Sequence, residues 1–326
     1  MVACYPGNRV LPCRDRSGVA PGGRGMLGRG GRCRSVLLSV WMLVAAPVLA
    51  ADLPVIRVSD GQFQGDNTRV DYFYDLFQRL IDETTPRYGP ATISQVRDKF
   101  TQNRLLAELK TGRIDVSWTA TSIERERESH PIRIPIDMGL IGQRVPVIRA
   151  SDAAAFEAIR TVEDLKRFKA CQGAQWPDFD ISAASGLQQI TGVHIDLLYA
   201  MLRAHRCDYF ARGVGEVAAE ALTYGGPDLR IFNGLIIAYP MPIYFFVAPG
   251  RHDLARRLEE GLQTLLANGE LKRMLSTHPS TRGAFPLERF NDATVIQLPN
   301  PTLPPETPLS DPRLWLSVGR HDGGPS

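Results

Sequence analysis

IDVSWTATSIERERESHPIRIPI, residues 114–136, joins an apolar strand, a polar turn and a returning strand that ends near a proline. The alternation of apolar residues up to Trp118 predicts a strand with one buried face. Thr119 and Thr121 follow with hydroxyls that can bond a ligand, and the planar guanidinium of Arg125 fits a carboxylate or phosphate. Open α/β sheets hold small molecules at the carboxyl ends of their strands. The stretch therefore predicts one wall of a small-molecule site.

Composition and charge limit the classes of function. The chain has 326 residues, of which 44% are hydrophobic, enough for one large core or two smaller ones. Its net charge is +3, but residues 1–50 hold seven arginines and one acidic residue. The remainder has 31 basic and 34 acidic residues, a net charge of −3. A nucleic-acid partner is therefore not expected.

The first 50 residues have the pattern of an export signal. Arginines between positions 29 and 34 precede an apolar run at 36–49, and small residues surround Ala50. This predicts a signal peptide, residues 1–50, that is cleaved after Ala50, with Met26 as a candidate true start. The alternative is an uncleaved membrane anchor, for which the run is short.

Removal of that segment leaves two cysteines, Cys171 and Cys207. An even pair in an exported chain permits one disulfide. The alternative is two small buried thiols, because sequence alone does not give the distance between them.

Short strands and helices alternate in the rest of the chain. A strand at 55–58, helices at 72–81 and 105–109, and the strand ending at Trp118 predict an α/β unit with a mostly parallel sheet. A second set between about 151 and 239 predicts a second sheet, with Thr161 capping one of its helices.

The last elements return towards the first unit. They are a strand at 243–247 and an amphipathic helix at 254–275 that is interrupted at Asn268-Gly269. From residue 286 onward, prolines crowd a segment that we expect to be a tail without regular helix or central strand.

Three of these places resemble the bacterial periplasmic solute-binding proteins of the amino-acid type, family 3. They are the Asp115-to-Arg125 segment, the Thr161–Leu165 helix leading to Cys171-Gln-Gly173, and the 243–247 strand with the helix after it. The resemblance covers roughly residues 52–280. It implies a type II periplasmic binding fold, α/β with two lobes and a ligand cleft between them. The implied bounds are 52–148 plus 242–285 for lobe 1, 149–241 for lobe 2, and 286–326 for the tail.

In that family a threonine and an arginine three residues later bind a ligand carboxylate. Here Thr121 and Arg125 are four apart. Arg125 is then reached through an inserted residue, or Arg127 or Arg133 replaces it, or the carboxylate clamp is missing. Alternating charge at 124–128 is also typical of a solvated helical face.

Lobe 2 has its own ligand candidates. Trp176 and Asp178 follow the Cys171 strand, where an indole can stack on a ligand and a carboxylate can receive an amino group. A hydrophobic plug and a turn cap are the alternatives. Arg212 ends another strand and faces the same cleft or the surface. In lobe 1, Tyr72 lies at a helix start near the cleft edge, with core packing as its alternative.

Catalytic and metal-binding patterns are weak. The histidines lack metal-ligand spacing, and Asp178, Asp180 and Asp208 fit turns and strand ends better than an acid/base pair. We therefore expect no enzyme activity, metal or cofactor.

We therefore expect a monomeric periplasmic protein that closes on a small polar solute, an amino acid or related carboxylate. The family resemblance implies that it delivers this solute to an ABC-type permease. The alternatives are a sensor module that reports to a membrane receptor and a cleft enzyme such as a dehydratase. The predicted ligand-binding residues are Trp118, Thr119, Thr121, Arg125, Tyr72, Trp176, Asp178 and Arg212.

Overall fold

The computed structural model describes residues 53–59, 67–96, 98 and 100–318. The predicted signal peptide, its cleavage site and the candidate start at Met26 lie outside the described residues. Within these described segments, no helix has both the length and the apolar character needed to cross a bilayer.

The described chain alternates helices and strands. The helices are α1 (Asn67–Tyr88), α2 (Gln102–Lys110), α3 (Ile123–Glu128), α4 (Ala153–Glu157), α5 (Val162–Leu165), α6 (Asp178–Ala184), α7 (Ile195–Arg203), α8 (Val217–Glu220), α9 (His252–Ala267) and α10 (Glu270–Thr277). The strands are β1 (Val55–Ser59), β2 (Thr92–Val96), β3 (Val116–Ala120), β4 (His130–Ile132), β5 (Gln143–Arg149), β6 (Lys169–Gly173), β7 (Gln188–Gly192), β8 (Tyr209–Gly213), β9 (Leu229–Ile231), β10 (Leu235–Ala238), β11 (Ile243–Val247) and β12 (Thr294–Gln297).

The strands form two sheets, one in each lobe. The lobe 1 sheet has the order β2-β1-β3-β11-β4, and the lobe 2 sheet has the order β12-β10-β5-β8-β6-β7 with β9 paired to β5. Both sheets are mixed, because β11 in lobe 1 and β5 in lobe 2 run antiparallel to each strand with which they pair. In lobe 1, β11 is antiparallel to β3 and β4. In lobe 2, β5 is antiparallel to β8, β9 and β10.

The chain crosses between the lobes twice. The first crossing lies between β4 and β5, and the second joins β10 to β11. The two crossings touch, since the Tyr239 amide donates to the Gly142 carbonyl at 3.0 Å. Ile148, expected near the end of lobe 1, lies within β5 of the lobe 2 sheet, so the crossing comes earlier in the chain.

The segment after residue 286 contains a strand that the sequence analysis did not predict. β12 pairs in parallel with β10 over four residues, from Leu235↔Thr294 to Ala238↔Gln297. The strand contains no proline and lies at the edge of its sheet, where one unpaired side is tolerated. The prolines begin after it, at Pro299.

The core of lobe 1 forms where α1 packs on the sheet. The apolar residues of α1 repeat at helical spacing, and Tyr72, Phe73, Leu76, Phe77, Leu80 and Ile81 are all buried. Trp118 of β3 packs between Phe73 and Phe245, with ring centroids 6.1 Å from each. Lobe 2 is cross-linked internally, because a disulfide joins Cys171 to Cys207 with their Cα atoms 5.4 Å apart.

Candidate functional site

A cavity of about 220 Å³ lies between the lobes, next to both crossings. Lobe 1 lines it with α2 and the end of β3, and lobe 2 lines it with β5, β8 and the starts of α6 and α7. The polar and aromatic residues that line it include Gln102, Thr119, Arg144, Trp176, Asp178, Arg212, Glu216, Glu220 and Ser280. Strand ends of both sheets therefore meet at one cleft, which is where open α/β sheets hold small molecules.

Arg125 lies on α3 directly behind the lobe 1 wall and is 7% exposed. Its Nη1 donates to Thr119 Oγ1 at 2.9 Å and to the Ala120 carbonyl at 2.6 Å. Its Nη2 donates to Gln102 Oε1 at 2.7 Å. All three acceptors belong to residues that line the cavity. The guanidinium is thus fixed by neutral groups at the cleft wall.

The charge of Arg125 has no direct counter-ion in the described part of the chain. No carboxylate of those residues lies within ion-pair distance of it. Burial lowers the pKa of its guanidinium to about 10, and the more distant Glu124 and Asp178 oppose that shift. Arg125 is therefore a buried cation at neutral pH that an incoming anion would compensate.

The start of α3 explains the spacing before Arg125. Ser122 has extended backbone angles and caps the helix, accepting from the Arg125 amide at 3.3 Å. The hydroxyl three residues before Arg125 therefore belongs to Ser122. Thr121 is buried and donates to Glu126 at 2.6 Å, so it does not line the cavity, whereas Thr119 does.

None of the three candidate arginines, Arg125, Arg127 and Arg133, is itself among the residues that line the cavity. Arg133 pairs with Glu126 at 2.6 Å on a part of the surface where its own side chain is 40% exposed. Of the three candidate arginines, only Arg125 is bonded to the cleft wall.

Asp178 lies at the start of α6 and is 5% exposed. It forms an ion pair with Arg144 and accepts a hydrogen bond from the Tyr239 hydroxyl. Arg144 also donates from Nε to the Tyr239 oxygen at 3.0 Å and lies 3.4 Å from Glu216. Burial raises the pKa of Tyr239 well above its ordinary value, so the phenol stays neutral. This network joins lobe 2 to the second crossing.

Arg212 and Trp176 form a second part of the lobe 2 wall. Arg212 makes a two-point ion pair with Glu220, with both contacts at 2.6 Å, and lies 3.0 Å from Glu216. Its guanidinium lies over the Trp176 ring, 4.6 Å from the centroid, and Trp176 stacks on Phe210 at 6.2 Å. Burial acts to lower the pKa of Arg212, but the contacts with Glu220 raise it overall. Arg212 is therefore held by lobe 2 itself.

Two predicted ligand residues lie in the core instead. Trp118 is fully buried behind the sheet and does not line the cavity. Tyr72 is also buried, and its hydroxyl donates to the Ile136 carbonyl at 2.7 Å. Consecutive side chains of a strand point to opposite faces, so Thr119 of β3 faces the cavity while Trp118 faces α1. Tyr72 belongs to α1 and lies in the same core.

Several cleft residues had no sequence motif. Arg144 lies within an apolar strand, and Glu216 lies in a turn 72 residues later. Gln102 directly follows Thr101, whose hydroxyl accepts from the Arg104 amide and caps α2. That helix start is the one signal that could have placed Gln102 near a strand end.

Ser280 reaches the cavity from the turn after α10. It bonds His278 Nδ1 at 2.7 Å, and His278 Nε2 faces Asp75 of α1 at 3.1 Å. The Ser280 amide also donates to Nδ1 at 3.2 Å. These bonds tie the end of α10 to α1 beside the cleft.

Comparisons with known proteins agree with this architecture. No protein-family model matches the sequence, and no curated protein matches it. Among solved structures, the VFT2 domain of BvgS from Bordetella pertussis is similar with a TM-score of 0.55 and 18% identity, covering 69% of this chain and 93% of that one.

Two further solved structures have similar folds. An ancestral arginine-binding protein bound to arginine has a TM-score of 0.52 and 15% identity, covering 69% of this chain and 98% of that one. A histidine kinase sensor domain with similarity to periplasmic binding proteins has a TM-score of 0.51 and 16% identity, covering 69% and 96%. The chain has the two-lobe α/β fold of the type II periplasmic binding proteins.

Proposed function

We propose that this protein captures a small carboxylate, of the amino-acid type, between its two lobes. The observation that supports this proposal is the environment of the Arg125 side chain. It is a buried guanidinium, bonded only to neutral groups of the cleft wall and without a carboxylate in ion-pair distance among the described residues. A ligand carboxylate would supply that charge, and hydrogen bonds between charged groups are the strong ones.

The charges of lobe 2 favour a second, cationic group on the ligand. The described lining residues of this lobe include three carboxylates, Asp178, Glu216 and Glu220, and two guanidinium groups, Arg144 and Arg212. The described lining residues of lobe 2 thus include one more acidic than basic side chain, and the Arg125 cation lies behind the wall of lobe 1. An α-amino acid has that pair of charges, with its carboxylate towards Arg125 and its ammonium towards Asp178.

Lobe closure is the mechanism we propose for capture. The lobes are joined by two short crossings that touch at Gly142 and Tyr239. Rotation about such segments brings two walls together around a ligand. A ligand that contacts both walls stabilises the closed state by its difference in affinity for the two states.

Binding can be tested by a thermal-shift screen of the purified protein, followed by calorimetry of each hit. The panel contains amino acids, organic acids without an amino group, polyamines and sugars. A ligand at 100 times its Kd stabilises the protein by about 2.7 kcal/mol. We expect amino acids or organic acids to raise the melting temperature, and a response to sugars or polyamines alone would overturn the proposal.

Arg125→Lys is the matched variant for this screen. It keeps the charge but loses the planar two-point geometry, so we expect weaker binding with little unfolding. Arg257→Lys is the control, because Arg257 is also buried but bonds Thr84 and Ile81 on the far side of lobe 1. If both variants lose binding equally, Arg125 has no specific role in the ligand site.

Export and delivery to an ABC-type permease complete the proposal. A membrane sensor is the alternative partner, since the fold also occurs in a histidine kinase sensor domain. Uptake of the radiolabelled ligand by cells with and without the gene separates the two. Lost uptake supports transport, and unchanged uptake with a lost transcriptional response supports sensing.

The dehydratase alternative needs an acid/base pair in the cleft. Asp208, one of its candidates, accepts from the Lys169 amide and pairs with Arg149 at 3.3 Å, outside the cavity lining. These contacts favour binding, and recovery of an unchanged ligand after incubation with the protein is the corresponding test.

A further inference from the structure

The chain after α10 contacts both lobes and both crossings. We call residues 294–318 the C-terminal strap. It begins in lobe 2, where β12 forms a parallel ladder with β10 and the Leu298 amide donates to the Ala238 carbonyl at 2.8 Å. These bonds anchor the strap to the strand that leads directly into the second crossing.

The strap then passes the second crossing and reaches lobe 1. Asn300 Nδ2 donates to the Pro240 carbonyl at 2.8 Å, in the crossing itself. Two residues later, the Thr302 carbonyl accepts from the Ile123 amide at 2.9 Å. Ile123 is the first residue of α3, whose amide has no partner within the helix. The strap therefore holds the start of the helix that contains Arg125.

The end of the strap covers the first crossing. The Leu316 amide donates to the Met138 carbonyl at 2.8 Å. The Trp315 ring packs directly on Gly139, leaving no room there for a side chain, and its Nε1 donates to the Pro308 carbonyl at 2.9 Å. Met138 and Gly139 have positive φ angles of 50° and 76°. The strap thus fixes an unusual turn at the point where the chain changes lobes.

Composition makes the strap stiff. Prolines at 299, 301, 304, 305, 308 and 312 fix the backbone between the anchor points. Its anchors are also buried, including Leu298, Leu314 and Val318. A stiff segment attached at both ends resists changes in the distance between its anchors, whereas a flexible linker does not.

We propose that the C-terminal strap is a third connection between the lobes, which positions α3 and sets the balance between open and closed states. The strap residues are positioning residues, since they act through the crossings and through Arg125. The expected change in ligand affinity rests on the proposed function, whereas the expected changes in hydrogen–deuterium exchange and scattering do not. Loss of a strap contact should loosen the crossings and weaken ligand binding together.

The first test removes one hydrogen bond. Ile123→Pro deletes the amide that donates to Thr302, at a helix position where proline is tolerated. Ser122 before it already has extended angles, φ −156° and ψ 162°, which suit a residue preceding proline. Ile123→Ala is the matched control, because it shortens the same side chain and keeps the amide.

The second test removes the cover of the first crossing, with Trp315→Ala. Both tests use the full purified chain and compare hydrogen–deuterium exchange of the segments 138–142 and 239–243, small-angle scattering, and affinity for the best amino-acid hit. We expect Ile123→Pro and Trp315→Ala to speed exchange at both crossings. We expect affinity to fall about fivefold for one lost hydrogen bond.

The outcomes are distinguishable. Faster exchange and altered scattering without any carboxylate binding in the wild type would support the strap and overturn the proposed function. If Ile123→Pro has the same exchange, scattering and affinity as the wild type, the proposed role of the strap is wrong. If Trp315→Ala does not fold, the comparison of Ile123→Pro with Ile123→Ala still decides the question.

Discussion

Arg125 is the residue on which the proposed binding of a carboxylate depends most. Its guanidinium is buried among hydroxyl, amide and carbonyl oxygens, with its pKa lowered by burial. At neutral pH it is charged, and burial holds its pKa below the ordinary value, at about 10, which means that the site disfavours the charged form relative to water. A ligand carboxylate would offset part of that penalty on binding.

Arg125→Met tests this balance. Methionine removes the buried charge but leaves the oxygens of Thr119, Ala120 and Gln102 without their donor, at about 1–3 kcal/mol. The two effects oppose each other, so we expect the free energy of unfolding without ligand to stay within about 2 kcal/mol of wild type. Urea unfolding measures it, and calorimetry should show no carboxylate binding. Retained binding would contradict the proposed role.

Asp178→Asn tests the other end of the ligand. Asparagine can still accept from Tyr239, but it removes the charge that pairs with Arg144. Breaking a buried ion pair costs on the order of 3 kcal/mol, which urea unfolding should detect.

The affinity of the Asp178→Asn variant should differ between two classes of ligand. Affinity for amino acids should fall more than affinity for the matching organic acids without an amino group, because only the former lose an ammonium partner. An equal loss for both classes would mean that Asp178 acts on the cleft shape and not on an ammonium group.

Local sequence patterns pointed to some of the residues that line the cavity and missed others. Among the predicted ligand residues, four line the cavity and Thr121 and Arg125 do not; the four are Thr119, Trp176, Asp178 and Arg212, and their contact with a ligand stays a prediction. Trp118 does not line the cavity either, because β3 is buried on both faces and hydropathy gives no sign of which face meets the cleft. Arg144 and Glu216 meet across 72 residues, a pairing that no local spacing encodes.

At the scale of elements, strong local signals gave accurate bounds. The strand predicted at 243–247 is β11, and the helix break predicted at Asn268-Gly269 separates α9 from α10, with Gly269 at φ 77°. Thr161 caps α5 in a reciprocal capping box with Asp164, as predicted. In contrast, β12 was missed because the prolines that follow it dominate the composition of the tail.

Gly142 is the element-scale test of the crossings. A Cβ at this position would collide with the Tyr239 carbonyl oxygen, so Gly142→Ala must push the two crossings apart. We expect it to destabilise the protein by about 1–3 kcal/mol in urea unfolding and to weaken ligand binding. Gly215→Ala is the control, since nothing lies within 4 Å of its added Cβ. Equal stability of the two variants would show that the crossings tolerate separation.

At the scale of the whole molecule, the periodicity of strands and helices predicted two α/β units, whereas their arrangement as two lobes around a cleft was implied by the resemblance to periplasmic solute-binding proteins. The mixture of parallel and antiparallel strands in each sheet was not predictable, since it depends on how β5 and β11 enter sheets whose other strands are distant in sequence. The contacts of the strap with both crossings are also long-range. They arise from packing that composition alone describes only as a proline-rich tail.

Closure of the whole molecule around its ligand gives the last prediction. The predicted mature chain that begins after Ala50 has roughly 275 residues, and a compact chain of that length has a radius of gyration of about 19 Å. An open two-lobe form exceeds that value. Small-angle scattering of the wild type should show a smaller radius when a saturating amino-acid hit is present, because contacts on both walls stabilise the closed state. Arg125→Met should show no change with the same ligand, since it lacks the lobe 1 contact. Ligand binding by the wild type without any decrease in radius would mean that the lobes are already closed and that capture does not require their rotation.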